Sequence, residues 1–494
     1  MKITSWLWVV VVAGCGGGST SSPDAFVADA APDTIAVTIT SPVGGASIRG
    51  TRAVEVKGTL AAAAPITSVD VKVGTTTVAA IFGEKAFTAT VMVANNANTI
   101  TVTAHDAIQG SGTASVDVDY PFVHFTDFPA ATRVLGQTAA DIGTQRTTDA
   151  STMKFAVGDP VMIGATLYVP VLGENRVLGY SAFPTTDNQA GDFVLGQATL
   201  ADGVAAVGAD GLDQPSDVDS DGTKLVASDH ANNRVVVWNT APSTTHVAAD
   251  VVIGEPDFDA NTGGCAAALL KGPIDLTIAN GRLIVADTNN NRVLIWNAIP
   301  TTNGAAADLV IGQADFTHCA GNDDNQDSVS DLGPTARTVR NPIGVWSDGT
   351  RLIVADSANN RLLIWKTFPT SSFTPADVVL GQPSFTTANP GLSATALASP
   401  QFIASNGNQL VVTDTNNNRV LVWDDVPTLS GRAPDHVIGQ STFLHGSAND
   451  DNQDDATDAT PSARTLKAPR GLLLTATSLW VSDQSNNRAL VYVP

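Results

Sequence analysis

Gly281-Arg282-Leu283-Ile284-Val285-Ala286-Asp287-Thr288-Asn289-Asn290-Asn291-Arg292-Val293-Leu294-Ile295-Trp296 is the stretch that decides the fold. Two runs rich in β-branched and aliphatic residues flank an Asn-rich break, which reads as strand, tight turn and strand. Ile274-Asp275-Leu276-Thr277-Ile278 supplies a strand before this pair, and another ends at Ile311-Gly312. Four strands therefore make one unit, and the unit recurs. Asn-Arg pairs place Arg at 176, 234, 292, 361, 419 and 488, at spacings of 58, 58, 69, 58 and 69 residues. A second landmark, Gly followed by Gln or Glu after an aliphatic pair, has its Gly at 136, 196, 254, 312, 381 and 439. Four-stranded units repeated at a fixed period are the blades of a β-propeller. The sequence thus predicts an all-β chain with six blades over residues 133–494. Gly136 precedes the first Asn-Arg pair and no such Gly follows the last. Arg133-Val134-Leu135 is accordingly expected as the outer strand of the final blade, closing the ring and removing its free edges.

The repeated text, Val-Ala-Asp followed by Asn-Asn-Arg-Val-Leu-Ile-Trp, resembles NHL repeats over nearly all of the chain after residue 132. Arg is preceded five residues earlier by Asp at 229, 287, 356, 414 and 483, and followed four later by Trp238, Trp296, Trp365, Trp423, Tyr180 or Tyr492. The first unit departs, with Val171 where Asp is expected. Five near-identical pairs (Asp229/Arg234, Asp287/Arg292, Asp356/Arg361, Asp414/Arg419, Asp483/Arg488) describe a structural device, in which Arg and Asp flanking a turn satisfy each other and the turn backbone. The resemblance also implies a rival: some NHL-type propellers are lyases or lactonases, with a metal held in the central channel by His or acidic side chains from several blades.

Composition agrees with the β reading. The chain has 26 Lys and Arg against 48 acids, a formal net charge of −22, and Glu only at 55, 84, 174 and 255. Asp prefers turns and caps, whereas Glu is a helix former, so this balance describes strands and turns. The acidity excludes nucleic acid and an anionic bilayer surface as partners, because both require basic patches.

At the N-terminus, Lys2 precedes an apolar-leaning run over residues 3–13, too short for a bilayer span but suited to a signal peptide. Val12-Ala13-Gly14-Cys15 resembles a bacterial lipobox. This predicts a signal peptide over 1–15 with lipidation at Cys15, and a Gly/Ser-rich tether over 16–33. The resemblance implies an exported protein, lipid-anchored in the cell envelope at the outer membrane or cell surface, which meets the membrane only through its anchor. Residues 34–120 alternate apolar and polar, as in Val69-Asp70-Val71-Lys72-Val73 and Thr99-Ile100-Thr101-Val102-Thr103, and predict about seven strands of a β-sandwich. Ser41-Pro42-Val43-Gly44-Gly45 and the stretch ending Ala104-His105-Asp106 resemble bacterial immunoglobulin-like modules, read as a stalk joined by a linker over 121–132.

With Cys15 lipidated, Cys265 and Cys319 remain, and export to an oxidising compartment allows them to pair. Both lie beyond an equivalent Asp-Phe (Asp257-Phe258 and Asp315-Phe316), which places them in neighbouring inter-blade loops on one face. The two 69-residue spacings mark insertions on that same face. His318-Cys319-Ala320-Gly321-Asn322-Asp323-Asp324-Asn325-Gln326-Asp327 aligns without a gap on His445-Gly446-Ser447-Ala448-Asn449-Asp450-Asp451-Asn452-Gln453-Asp454. Asp323, Asn325 and Asp327, and likewise Asp450, Asn452 and Asp454, place three oxygen side chains at alternate positions, as a calcium loop does. The match is partial, since Ser328 and Asp455 stand where Gly is expected, and Asx turns pinned by Arg337 and Arg464 are the alternative. For catalysis, His230 stands alone at its offset, and no nucleophile–base arrangement follows from spacing. Asp217 and Asp275, at the start of two inner strands, are the candidate channel carboxylates. The sequence therefore predicts a monomeric binding or scaffold protein that presents an acidic propeller face to a protein or glycan, with calcium as a candidate ligand. The alternative is a metal-dependent lyase or lactonase using a channel cation.

Overall fold

The computed structural model describes residues 35–48, 52–108, 110–155 and 158–493; Cys15 and the 16–33 tether lie outside the described residues. Among these, the structure is strands joined by loops, with helix confined to six single-turn 3-10 segments of three residues each. No described helix is long and apolar enough to cross a membrane. The chain divides into two compact units. Among the described residues, one comprises those up to Gly44 with Glu55–Val91 and Thr99–Asp117, and the other comprises Gly45–Val54, Met92–Asn98 and those from Val118 onward.

The N-terminal strands form two sheets. Ala36–Ser41, Ala53–Ala61, Ala86–Met92 and Ile81–Phe82 make one in that order; Ala46–Ser47, Ser111–Tyr120, Asn96–Asp106, Ile66–Val73 and Thr76–Ala79 make the other. The period-two alternation has its physical counterpart in Ala53–Ala61, where every second side chain is buried. Gly58 is required by packing: a Cβ there would lie 2.4 Å from the Phe87 ring.

The remainder builds six four-stranded antiparallel sheets. The third, in chain order, runs Leu276–Ala279, Arg282–Asp287, Arg292–Trp296 and Leu309–Ile311, as the founding stretch requires. Buried Leu, Ile and Val cover both faces of these strands, so each sheet packs against its neighbours on either side; Leu283, Val285 and Trp296 join Val235 and Val237 in one core, while Ile284 and Ile295 join Val345 and Leu352 in the next. The sixth sheet is composite. Arg133–Leu135 pairs antiparallel with Arg488–Tyr492, Val134 opposite Leu490, so one strand comes from the beginning of the repeat region and three from its end. The first strands of all six sheets surround a common cavity of about 250 Å³, lined by Val161, Val218, Ile278, Val345, Ile403 and Leu472 among others.

Candidate ligand face and central channel

The Asn-rich turn is built the same way in five sheets. In the third, Asp287 ends its strand, Thr288–Asn290 form the 3-10 turn, and Asn291 takes φ 51°, ψ 46°. That left-handed conformation is one Asn tolerates well. The Asn291 amide donates to the carbonyl of Cys319 at 3.0 Å, and its oxygen accepts from the backbone N–H of Asn341 at 2.9 Å. Arg292 Nε donates to Asp287 Oδ2 at 2.7 Å, Nη1 to the Phe316 carbonyl at 2.6 Å, and Nη2 to the carbonyls of Ala266 and Leu269. One guanidinium thus ties its own turn to the loop before the sheet and the loop after it. Both partners are fully buried, and Asp229–Arg234, Asp356–Arg361, Asp414–Arg419 and Asp483–Arg488 repeat the ion pair at 2.7–2.8 Å. Burial pushes the Asp229 carboxyl up and Arg234 opposes the shift, for a net value of about 6 that leaves the pair ionised at neutral pH.

The first sheet solves the same problem differently. Val171 removes the usual carboxylate, and Glu174, three residues on, reaches back to Arg176 at 2.6 Å and accepts from the Thr152 hydroxyl at 2.6 Å. The sequence reading missed this replacement; its signal was that Glu174 is one of only four glutamates in the chain.

The two insertions fold alike. Asp323 accepts backbone N–H groups of Asp327 (3.1 Å) and Ser328 (2.9 Å), and Asp450 accepts those of Asp454 and Asp455 at the same distances. Both aspartates are fully buried. Asn325 and Asn452 donate to Asp327 and Asp454 at 3.2 Å, and accept from the backbone N–H of the same residues. Gln326 and Gln453 anchor the loop by accepting from Ala314 and Ser441. The alternate oxygens are therefore engaged in a chain of Asx turns. Arg337 lies 3.5 Å from Asp324, outside that set. His445 bonds Asp455 at 2.6 Å and, with Asp450, brings three ligand atoms within 4.8 Å of one another; His318 instead bonds Asp315 at 2.8 Å. Cys265 and Cys319 are joined by a disulfide with Cα atoms 6.4 Å apart, linking the loop after the second sheet to the first insertion.

Large apolar side chains stand exposed on the loops of this same face: Val204, Val329, Leu332, Leu392 and Leu444, with Leu332 wholly in solvent.

Inside the channel, the expected Asp217 and Asp275 are joined by Asp159, which the sequence reading overlooked although it stands 58 residues before Asp217. Carboxylate atoms of all three lie within 4.8 Å of one another. Asp217 accepts from the backbone N–H groups of Asp159 (2.9 Å) and Leu276 (3.1 Å), Asp275 from those of Leu276 and Val345, and Asp159 from that of Leu472. Each carboxylate thereby caps the exposed inner edge of an adjoining first strand. Burial, then the neighbouring carboxylates, raise Asp159 and Asp217 well above the usual range, and burial lifts Asp275 to about 7. The equivalent positions in the fourth to sixth sheets are Gly344, Phe402 and Gly471; Phe402 is fully buried against Ile343, with Leu172 and Ile274 beside them.

The NHL repeat signature matches residues 270–296 and 397–423. Both segments run from the loop before a first strand through the Asp–Arg turn to the Trp. The chain carries NHL repeats on a β-propeller. No curated protein matches it in sequence. Among solved structures, virginiamycin B lyase from Staphylococcus aureus is 11% identical, with 72% of this chain and 98% of that one covered at a TM-score of 0.36. The PQQ-bound aldose sugar dehydrogenase from Streptomyces coelicolor is 14% identical (71% and 99% covered, TM-score 0.37), and the nidogen/laminin complex 15% (62% and 96%, TM-score 0.31).

Proposed function

We propose that this protein is a lipid-anchored cell-envelope binding protein, a six-bladed NHL propeller on an immunoglobulin-like stalk, whose insertion face takes a protein or glycan ligand. The observation that carries this reading is the build of that face. Two loops of matching sequence hold themselves rigid through buried aspartates, and they carry exposed apolar side chains at Val329, Leu332 and Leu444. Apolar side chains on preorganised loops with a polar rim are the composition of recognition surfaces. The test is affinity capture by the soluble ectodomain beginning at residue 34, compared with a Leu332→Asp/Leu444→Asp double variant. A ligand retained by the first and lost by the second supports the face, and equal retention removes it. For the anchor, Cys15→Ser should release the protein from the membrane fraction; a variant that stays bound at the parent level defeats the lipobox reading.

A second reading, a propeller lyase or lactonase with a channel cation, has the mutual approach of Asp159, Asp217 and Asp275 in its favour. Hard cations take six to eight oxygens, whereas five of the six oxygens here already accept backbone N–H groups. The residues fit inter-blade pins better than an ion's shell. EDTA-sensitive turnover of a lactone or lyase substrate would reverse that preference.

A further inference from the structure

One step toward the turn face from the channel carboxylates lies a ring of six equivalent positions: Gly158, Ser216, Ile274, Ile343, Gln401 and Arg470. Pro215, Pro342, Pro400 and Pro469, which precede four of them, each pair with the Asp that begins a turn, fixing the height of the ring. Most members are locally satisfied or apolar. The Ser216 hydroxyl donates to the Ile274 carbonyl at 2.6 Å, and Ile343 and Ile274 pack beside Phe402. Arg470 is neither. Its Nε is buried with no hydrogen-bond partner, and among the described residues no carboxylate pairs with its guanidinium. In a chain with 48 acids to 26 bases, a missing counter-ion is not explained by scarcity. The adjoining ring member has the same defect: Gln401 is 6% exposed and its Oε1 is buried without a partner. His230, the first residue of the second sheet's turn, lies within the field of Arg470 and beside Asp213; its Nδ1 is 3.2 Å from the Pro273 carbonyl.

We propose that the turn-side mouth of the channel is a binding site for a carboxylate-bearing ligand, held by the fork of Arg470 with Gln401 and His230 as neighbouring polar contacts. A planar carboxylate matches two parallel guanidinium N–H donors, and the apolar surround of Ile343, Ile274 and Phe402 strengthens that charge-assisted pair. The Gln401 carboxamide can turn to offer its N–H groups to the same anion. Burial and the Arg470 charge hold His230 below its usual range, and burial draws Arg470 down to about 10; a bound anion reverses both effects, so binding is coupled to proton uptake at His230. This inference is independent of any partner on the insertion face.

The experiment titrates acetate and inorganic phosphate separately into the wild-type ectodomain, reading melting temperature and the His230 imidazole resonance, assigned with a His230→Gln variant. Saturable acetate binding is expected, with Tm up by about 2 °C at tenfold excess over Kd and a His230 pKa that rises with occupancy. Arg470→Met should abolish both responses. In anion-free buffer it should melt no lower than wild type, because it removes a half-buried guanidinium that no carboxylate offsets and whose buried Nε has no hydrogen-bond partner. Absence of any saturable response in the wild type overturns the site. A response to phosphate alone overturns the carboxylate assignment. An Arg470→Met protein that melts lower, or fails to fold, shows the guanidinium to be a structural group and also overturns the proposal.

Discussion

Two sets of buried aspartates do opposite things in this molecule. At the turns, Asp229, Asp287, Asp356, Asp414 and Asp483 each face a buried Arg. In the channel, Asp159, Asp217 and Asp275 face one another and have only backbone N–H groups to offset their charge. The residue type and the burial are the same, so the difference lies in the counter-charge. The first set is held by its arginine partners; in the second, burial and the neighbouring carboxylates favour the protonated form. A repeat with its partner is architecture. A cluster confined to three of six equivalent positions breaks the symmetry of the ring, and the broken symmetry is where individual chemistry can arise.

The largest difference between the two sets is expected from the same substitution made in each. Asp287→Asn should cost about 3–5 kcal/mol, because it strands Arg292 as a buried uncompensated cation. Asp275→Asn at pH 8 should be neutral or stabilising, since it removes a like charge from the cluster. Urea unfolding of both variants reads the difference, and losses of equal size would mean that the two sets are not distinct.

Next in size is the bridge between the loops. Cys265→Ser or Cys319→Ser opens a 54-residue separation and should lower stability by about 4 kcal/mol on the loop-entropy account. A variant within about 1 kcal/mol of wild type would show the covering loops to be held by their Asn and Arg contacts alone, which are each worth about 1–3 kcal/mol.

The channel set also predicts a pH dependence. Asp275 holds its proton to about 7 when folded, while a free Asp releases it near 3.9. The stability from that bound proton is fully present below pH ~4 and declines as the pH rises toward 7. Melting temperature should therefore fall between pH 5 and 8, and Asp275→Asn should flatten that slope. An unchanged slope would place the titration elsewhere.

The smallest effect is expected at the insertions. Asp323→Ala and Asp450→Ala each remove two acceptors from backbone N–H groups. Each should speed amide exchange at residues 327–328 or 454–455 at least tenfold, about 1–2 kcal/mol of local stability, with the core strands still protected. Protection lost in the core would make these loops part of the fold proper.

How much of this could be read from sequence depended on what repeats. The strand–turn–strand unit and the pairing of Arg133–Leu135 with the last strands followed from landmark spacing alone, because the same local physics recurs from unit to unit. The Cys265–Cys319 contact followed from equivalent offsets in adjacent units. What escaped was chemistry written once. Glu174 replaces an aspartate from three positions away, which a fixed offset cannot see. Asp159 sat at the correct 58-residue offset but in the unit already marked as divergent. Arg470 is conspicuous only when its environment is known, because a lone arginine in sequence carries no sign of being unpaired.

The composite sixth sheet has a consequence for how the chain becomes a protein. Leu135 meets Ala489 across some 350 intervening residues, and no earlier segment can substitute for that contact. During vectorial synthesis, five sheets can form in order while Arg133–Leu135 waits with its edge unsatisfied. Contacts of such separation form slowly, since loop-closure entropy must be overcome before they stabilise anything. The open ring is thus an obligatory and aggregation-prone species, with two complementary unpaired edges in every molecule. At high local concentration those edges fit a neighbour's as well as their own, so the same strand that seals the monomer defines the route by which crowded, half-made chains would exchange ends.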